Sequence, residues 1–269
     1  MMPVQDLRVS LVQADTRWHD AAGNRALYAD LVRALRGQSE LVVLPETFTS
    51  GFTNETLGNA ETMEGESVRL LRGLATEIGA VITGSMVIRE GERCYNRLMW
   101  ARPDGTLATY DKRHLFRMAE EHKRYADGKA RLIVELNGWR ICPQVCYDLR
   151  FPVWLRNRHG HTAPGRFDYD LILFVANWPA ARRYAWSTLL RARAIENLAY
   201  CVGVNRVGVD GNQLSYAGDS AALDFLGQPL VECGAQPQSV TVTLSAAALA
   251  AHRERFPAYL DADDFTLDA

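Results

Sequence analysis

Short apolar runs and segments of helical periodicity alternate along most of the chain. The runs are rich in Val, Leu and Ile and are bounded by turn residues, which is typical of β-strands. Strands are predicted over residues 7–14, 40–44, 80–88, 95–101, 106–111, 132–136, 139–145, 170–176, 199–204, 221–225, 229–232 and 239–244. Helices are predicted over residues 21–36, 66–78, 151–158, 181–198 and 246–255.

Local signals mark several ends of these elements. Asp20 and Ser245 stand before helical segments as N-cap residues, and Gly79 follows one as a stop signal. Asn137-Gly138 predicts a hairpin turn between two strands. Residues 113–130 have weak periodicity, and a connection of this length inside a compact chain is usually functional or mobile.

The order of the elements predicts the fold class. Helices and strands alternate with several hairpins between them, so we predict an α/β fold in which helices cover a mixed sheet. The chain has no repeat of fixed period and no low-complexity linker. Residues 1–269 are therefore predicted to form a single domain.

Composition and net charge limit the kinds of molecule that the protein is expected to bind. Hydrophobic residues make up 48% of the chain and the net charge is −2, so neither nucleic acid nor an anionic membrane is predicted to bind. The longest apolar runs are too short to span a bilayer, and the first residues lack the apolar region of a signal peptide. Five scattered cysteines without a C-x-x-C spacing favour reduced thiols, so we predict a cytoplasmic protein.

Three polar residues follow apolar strands at the point where each strand ends: Glu46, Lys112 and Cys146. Side chains from distant parts of the sequence converge at strand ends in layered α/β folds. A cysteine needs a base or a cation to become a thiolate, and a carboxylate can take its proton and later protonate a leaving amine. A lysine can stabilise the oxyanion of a tetrahedral intermediate. These residues predict nucleophilic catalysis by Cys146.

Each residue taken singly has a simpler interpretation. A lone cysteine is more often a small buried hydrophobic residue, Glu46 can cap a turn, and Lys112 can be a solvated strand end. Cys142 is interpreted as a core residue, because no ligands at metal-binding spacing accompany it. The six histidines lie mainly in polar segments, and none is predicted to be the base.

Three stretches resemble the signature motifs of the nitrilase (carbon–nitrogen hydrolase) superfamily. They are LPETF at 44–48, YDKRHLF at 110–116 and VCYDLRFP at 145–152, in the order and with the spacing of that family. The resemblance implies a four-layer α-β-β-α sandwich with two mixed sheets and a catalytic triad of Glu46, Lys112 and Cys146. It implies a further glutamate after the lysine, which falls on Glu121, with the adjacent Glu120 as the alternative.

Further stretches resemble the bacterial omega-amidase branch of this superfamily. They are HLFRM at 114–118, NWPAARRYAW at 177–186 and LRARAIEN at 190–197. The resemblance implies hydrolysis of the side-chain amide of small ω-amido-2-oxo acids such as 2-oxoglutaramate and 2-oxosuccinamate. It also implies no cofactor, no metal, and assembly into a homodimer or a higher homo-oligomer.

The candidates for substrate binding come from the chemistry of residues in and near these motifs. The N–H of Tyr147 is expected to hold the oxyanion, and Phe116, Met118 and Trp178 form the apolar pocket wall or pack against strands. Arg150 and Arg117 are candidates for a substrate carboxylate, although Asp148 beside Arg150 favours an internal ion pair. Four further arginines suggest an anion-binding face, but a helix with Glu196 nearby favours a solvated or subunit-contact face instead: Arg182, Arg183, Arg191 and Arg193.

Two other functions stay open on the sequence alone. The same triad serves other amidases and N-carbamoyl hydrolases, because the specificity pocket is built elsewhere in the chain. A non-catalytic binding protein on the same fold is the second alternative.

Overall fold

The computed structural model describes residues 3–267, which form two six-stranded sheets. The first contains β1 (Leu7–Gln13), β2 (Leu41–Val43), β3 (Val81–Glu90), β4 (Arg93–Ala101), β5 (Leu107–Asp111) and β14 (Gln238–Leu244), in the order β14-β1-β2-β3-β4-β5. The second contains β6 (Val134–Leu136), β7 (Trp139–Val145), β8 (Leu171–Ala176), β9 (Tyr200–Asn205), β12 (Ala221–Leu223) and β13 (Pro229–Glu232), in the order β13-β12-β9-β8-β7-β6. Strands β10 (Val207–Val209) and β11 (Ser215–Ala217) form a separate ribbon.

Both sheets are mixed. Strands β1, β2 and β3 run parallel to one another, as do β7, β8 and β9, and antiparallel strands flank each parallel group. The helices are α1 (Ala21–Arg33), α2 (Thr56–Asn59), α3 (Glu66–Ile78), α4 (Pro152–Leu155), α5 (Arg183–Asn197) and α6 (Ala246–Arg255).

The two sheets pack face to face over one apolar core. Leu11 and Trp100 of the first sheet and Trp139, Leu173 and Val202 of the second belong to this core and are fully buried. Strands β2 and β8 lie inside the parallel groups and are covered on both faces, so their sequences are continuous apolar runs rather than alternating ones.

Helices cover the outer face of each sheet. Tyr28 of α1 and Leu71 of α3 pack with the first sheet, and Trp186 and Leu190 of α5 pack with the second. Helix α5 lies close to β9, since a Cβ added at Gly203 would lie 2.6 Å from Leu190 and 2.7 Å from Trp186. The layers therefore run helix, sheet, sheet, helix, which confirms the predicted four-layer α-β-β-α sandwich.

Many predicted bounds agree with the structure, and the predicted strand at 139–145 and helices at 66–78 and 246–255 coincide with β7, α3 and α6. The helix predicted over 151–158 was wrong in length, because it ends at Leu155. Asn157 instead bonds to Tyr169 and Asn197, and these tertiary hydrogen bonds hold the chain out of a helix. The short strands β10 and β11 and helix α2 were not predicted.

Over residues 3–267, no helix combines the length and the apolar character needed to cross a membrane.

Two glycines at helix α3 give a matched test of backbone strain. Gly79 ends the helix in the left-handed region with φ +69°, whereas Gly73 lies inside it on the exposed side, and a Cβ at either position would meet no atom within 4 Å. We expect Gly79→Ala to lower the free energy of unfolding by about 1–2 kcal/mol. Gly73→Ala should raise it by roughly 0.5–1 kcal/mol, because alanine is the better helix former. Urea unfolding of both variants measures this, and equal effects would contradict the assignment of the helix end.

Candidate active site

The ends of β2, β5 and β7 bring together the three residues that the sequence singled out. Glu46 follows β2, Lys112 follows β5 directly, and Cys146 follows β7. The Lys112 ammonium lies 3.0 Å from Glu46 Oε1, and both side chains are fully buried. Lys112 and Cys146 line the same cavity. The two sheets thus each contribute to one site at their strand ends.

A second carboxylate binds the same ammonium. Both oxygens of Glu121 lie 3.0 Å from Lys112 Nζ, and Glu121 is fully buried. Glu120 is exposed and pairs with Lys123 instead. The structure therefore places Glu121, and not Glu120, beside Lys112.

The backbone around Glu121 explains how two adjacent glutamates point to opposite environments. Glu120 lies between two short 3₁₀ helices with φ +58°, and this left-handed residue reverses the local direction of the chain. The N–H of Phe116 then donates to Glu121 Oε2 at 2.6 Å, which fixes the carboxylate. Residues 113–130 thus include an ordered turn that carries a buried charge to the site.

Electrostatics keeps Lys112 protonated. Burial alone would lower the pKa of Lys112, but the charges of Glu121 and Glu46 outweigh it and raise the pKa well above its ordinary value. Burial also raises the pKa of Glu121, and Lys112 opposes that rise. The cluster therefore holds one cation between two acidic groups.

Cys146 stands at a sharp turn between β7 and a 3₁₀ helix, Cys146–Arg150. Its φ is +46°, a left-handed conformation that is uncommon for a residue with a side chain. The side chain is partly exposed, and its Sγ lies 4.0 Å from the carbonyl oxygen of Asn177. Such strained conformations cluster at functional sites.

Buried hydrogen bonds hold this turn. Asp148 accepts hydrogen bonds from the N–H of Val145 at 3.1 Å and from the Tyr110 hydroxyl at 2.8 Å. The N–H of His114 donates to the same carboxylate at 2.9 Å. Arg193 donates two hydrogen bonds to the carbonyl of Leu149. Side chains from β5, the loop after it and α5 thus fix the segment that follows Cys146.

The thiol of Cys146 is held in its protonated form. Burial raises the pKa of Cys146 well above its ordinary value, the charge of Glu46 raises it further, and Lys112 acts in the opposite direction. A base must therefore take the proton before the sulfur can attack a substrate.

This balance predicts an effect on thiol reactivity. Glu46→Gln removes one negative charge and leaves Lys112, so we expect the pKa of Cys146 to fall. The rate at which iodoacetamide alkylates Cys146 can be measured at a series of pH values by quantifying the peptide that contains this residue. In Glu46→Gln, this rate should begin to rise at a lower pH than in the wild type. Glu121→Gln is the matched control, since Glu121 contributes less to this pKa. A profile for Glu46→Gln that moves to higher pH would contradict the proposed charge balance.

Two asparagines that the sequence reasoning missed complete the polar network. Asn96 donates to Glu46 Oε1 at 2.7 Å, and the N–H of Asn177 donates to Glu46 Oε2 at 2.7 Å. The Asn177 side chain also donates to the backbone oxygen of Glu46 and to the hydroxyl of Thr47. Asn177 follows strand β8 as Cys146 follows β7, so a polar residue at a strand end was the signal available in the sequence.

A cavity of about 230 Å³ opens beside Cys146. Five of the six substrate-binding candidates line it: Phe116, Met118, Tyr147, Arg150 and Trp178. The rings of Phe116 and Tyr147 meet edge to face with centroids 5.0 Å apart. Trp178 is buried and also packs against Trp186. Trp178 therefore both lines the cavity and packs against a neighbouring side chain.

The structure corrects two predictions about arginines. Arg150 does not pair with Asp148 among the described residues. Its guanidinium lies 5.0 Å from the centre of the Trp178 ring, because Asp148 already accepts bonds from Tyr110, Val145 and His114. Arg117 is exposed and is absent from the cavity lining.

The predicted solvated face of four arginines was wrong for two of them. Arg193 is buried, since its guanidinium bonds to the Leu149 carbonyl, and Arg182 lines the cavity. Arg183 is exposed and pairs with Asp219, as expected of a surface residue.

Within residues 3–267, no three His, Cys, Asp or Glu side chains are grouped in a way that would hold a metal ion. Cys142 is fully buried in the apolar core behind β7, and burial raises its pKa to about 11. Its interpretation as a core residue agrees with this position.

A partly exposed cysteine beside a buried lysine and two glutamates, on a four-layer α-β-β-α sandwich, is the arrangement of a carbon–nitrogen hydrolase. The chain belongs to the Carbon-nitrogen hydrolase family, which residues 8–254 match.

The chain is 47% identical over 264 residues to Omega-amidase YafV of Yersinia enterocolitica. This alignment covers 97% of this chain and 98% of that protein. It is 29% identical to the 2-oxoglutaramate amidase of Bacillus subtilis, over 94% of this chain and 96% of that one. A crystal structure of a CN-hydrolase superfamily protein from Xanthomonas campestris superposes with a TM-score of 0.97 and 64% identity, over 98% of this chain and all of that chain. That protein carries an arsenic adduct in its active site.

Proposed function

We propose that this protein is an omega-amidase that hydrolyses the side-chain amide of ω-amido-2-oxo acids, such as 2-oxoglutaramate and 2-oxosuccinamate, to the acid and ammonia. The observation that carries the proposal is the buried Lys112 ammonium, which is bonded to Glu46 and Glu121 beside the cavity that holds Cys146. The names of the omega-amidase and 2-oxoglutaramate amidase relatives support the substrate class.

The first half-reaction forms a thioester. Glu46 takes the proton of the Cys146 thiol, and the sulfur attacks the amide carbon so that the carbonyl oxygen becomes an oxyanion. The Lys112 ammonium and the N–H of Tyr147 hold this charge, and losing one such donor costs roughly 100- to 1000-fold in rate. The C–N bond then breaks, and Glu46 gives its proton to the leaving ammonia.

The second half-reaction releases the acid. Glu46, again ionised, takes a proton from a water molecule that attacks the thioester carbon. The C–S bond breaks, the acid leaves, and the sulfur recovers its proton from Glu46. Each turnover therefore consumes one water and returns Glu46 and Cys146 to their starting states.

Glu121 serves as a positioning residue for Lys112. An ammonium has three N–H groups, and when one of them is shared between both Glu121 oxygens, a second is directed to Glu46 and a third is left for the oxyanion. The fixed carboxylate thus orients the lysine without carrying protons itself.

The cavity suits a small anionic substrate. Its volume of about 230 Å³ is below the roughly 300–1,000 Å³ of pockets for drug-sized ligands. Its charged lining residues are Lys112, Arg150 and Arg182, all of them cations. A short amide with a carboxylate at its other end fits both properties.

The test is ammonia release from 2-oxoglutaramate and 2-oxosuccinamate, measured beside glutamine, an N-carbamoyl amino acid and a simple nitrile. We expect the two oxo-acid amides to have the highest kcat/KM. Preference for another compound would keep the chemistry and overturn the omega-amidase assignment. No turnover of any compound would favour the binding-protein alternative.

The compartment, the domain organisation and the assembly of the enzyme are also proposed. We infer a cytoplasmic enzyme, as the cysteine usage favours, made of one domain that assembles into a homodimer or a higher homo-oligomer. Fractionation of cells and light scattering of the purified protein measure the compartment and the assembly.

A further inference from the structure

The positive charge that the cavity offers to a substrate comes from two arginines. No acidic residue among the described part of the chain lines the cavity, and its three charged residues are Lys112, Arg150 and Arg182. The Lys112 charge is already matched by Glu46 and Glu121. Arg150 and Arg182 therefore supply the excess charge that an anionic group would meet.

The backbone of Arg182 is fixed at the edge of the cavity. Its N–H donates to the Pro179 carbonyl at 2.9 Å, and its own carbonyl accepts from the indole N–H of Trp178 at 2.9 Å. Trp178 is itself buried and lines the cavity. Because this backbone is already fixed, binding a ligand would cost only the ordering of the side chain and not of the backbone.

The guanidinium of Arg182 reaches the segment that precedes Glu121. It lies 5.3 Å from the centre of the Phe116 ring, and one nitrogen is 3.3 Å from the sulfur of Met118. Within residues 3–267 it has no acidic partner, and a thioether is only a weak acceptor. Most of its five N–H groups therefore remain available, in the fork geometry that matches a carboxylate.

Arg150 is the less suitable of the two arginines. Its side chain is exposed, whereas Arg182 is half-buried. An exposed ion pair contributes little to binding because water screens it, and the same pair contributes more where water is partly excluded.

We propose that Arg182 binds the substrate carboxylate remote from the reacting amide and so selects amides of small acids over neutral amides. This inference rests on the proposed omega-amidase function and assigns its acid specificity to one residue. Because Arg182 also contacts Phe116 and Met118, the bound carboxylate lies against the segment that carries Glu121.

The kinetic test compares a charged and a neutral substrate of equal chain length, 2-oxoglutaramate and pentanamide. Arg182→Gln should lower kcat/KM for 2-oxoglutaramate by about 10- to 100-fold, mainly through KM, since a charge-assisted bidentate contact is lost. The loss for pentanamide should be at least tenfold smaller, and Arg182→Lys should recover part of the lost activity. Arg183→Gln is the matched control, because it removes the same charge from an adjacent residue that pairs with Asp219 outside the cavity.

A binding test separates this inference from the proposed function. In the Cys146→Ala background, calorimetry with the product 2-oxoglutarate should give a Kd that rises by a similar factor when Arg182→Gln is added. Equal losses for both amides, no loss, or 2-oxoglutarate binding that does not depend on Arg182 would each overturn the role of Arg182. Arg182-dependent binding of 2-oxoglutarate without hydrolysis of 2-oxoglutaramate would instead overturn the omega-amidase function and leave the carboxylate site standing.

Discussion

Cys146→Ala is expected to abolish amide hydrolysis, with a loss in kcat of at least about 10⁴-fold. The variant keeps Lys112, Glu46 and Glu121, but it has no atom that can form the covalent intermediate. Water would have to attack the amide directly, without the thioester that divides the reaction into two easier steps. Ammonia release from 2-oxoglutaramate measures the loss, and circular dichroism should show the fold of the wild type.

Cys142→Ala provides the matched control for this loss. Cys142 lies in strand β7, four residues before Cys146, but it is fully buried in the apolar core and does not line the cavity. We expect Cys142→Ala to keep most of the activity and to cost roughly 1 kcal/mol of stability. Comparable activity losses for the two variants would show that Cys146 matters for structure rather than as the nucleophile.

Lys112→Met is expected to have the second largest effect, on activity and on stability together. Removing the ammonium takes away an oxyanion donor and leaves Glu46 and Glu121 buried without a cation. We expect kcat to fall by at least roughly 100- to 1000-fold. Breaking a buried ion pair from one side should lower the free energy of unfolding by about 3–5 kcal/mol. Steady-state kinetics and urea unfolding measure the two effects.

The pH dependence of this stability loss has a defined sign. Lys112 opposes the burial that raises the pKa of Glu121, so without it the folded-state pKa of Glu121 rises further above the unfolded value. A group of this kind stabilises the fold at low pH, and its contribution is lost as pH rises through the folded-state pKa. The deficit of Lys112→Met relative to the wild type should therefore be smaller at pH 5 than at pH 8.

A double variant separates the buried charge from the lost packing. Lys112→Met combined with Glu121→Gln removes one of the two carboxylates, and it should recover part of the lost stability but none of the activity. If the double variant is as unstable as the single one, packing of the lysine stem rather than unpaired charge explains the effect.

Local patterns predicted most of the framework of this fold. The buried strands β2 and β8 are short apolar runs, as expected of strands that are covered on both faces. Gly79 and Ser245 end and begin helices as their backbone and hydroxyl chemistry predict. The α4 helix was overestimated because the hydrogen bonds of Asn157 to Tyr169 and Asn197 depend on segments distant in sequence.

The residues of the candidate site likewise include some that the sequence predicts and others whose positions depend on the tertiary structure. Lys112 and Cys146 each follow a strand directly and Glu46 follows β2 within three residues, and this placement could be predicted before the geometry was known. The selection of Glu121 over Glu120 depends on the left-handed backbone of Glu120, which no side-chain pattern announces. The position of Arg182 depends on the path of the chain from β8 to α5, so its sequence neighbours suggested a surface residue instead.

The most direct test of the central claim, a thioester on Cys146, is partitioning of the acyl group between water and hydroxylamine. Two substrates would share one acyl group but differ in leaving group, 2-oxoglutaramate and its N-methylamide. A common thioester predicts the same ratio of hydroxamate to acid from both substrates, because the leaving amine has departed before the two nucleophiles compete. A ratio that differs between the two amides, or turnover in hydroxylamine without any hydroxamate, would contradict the thioester and the role assigned to Cys146.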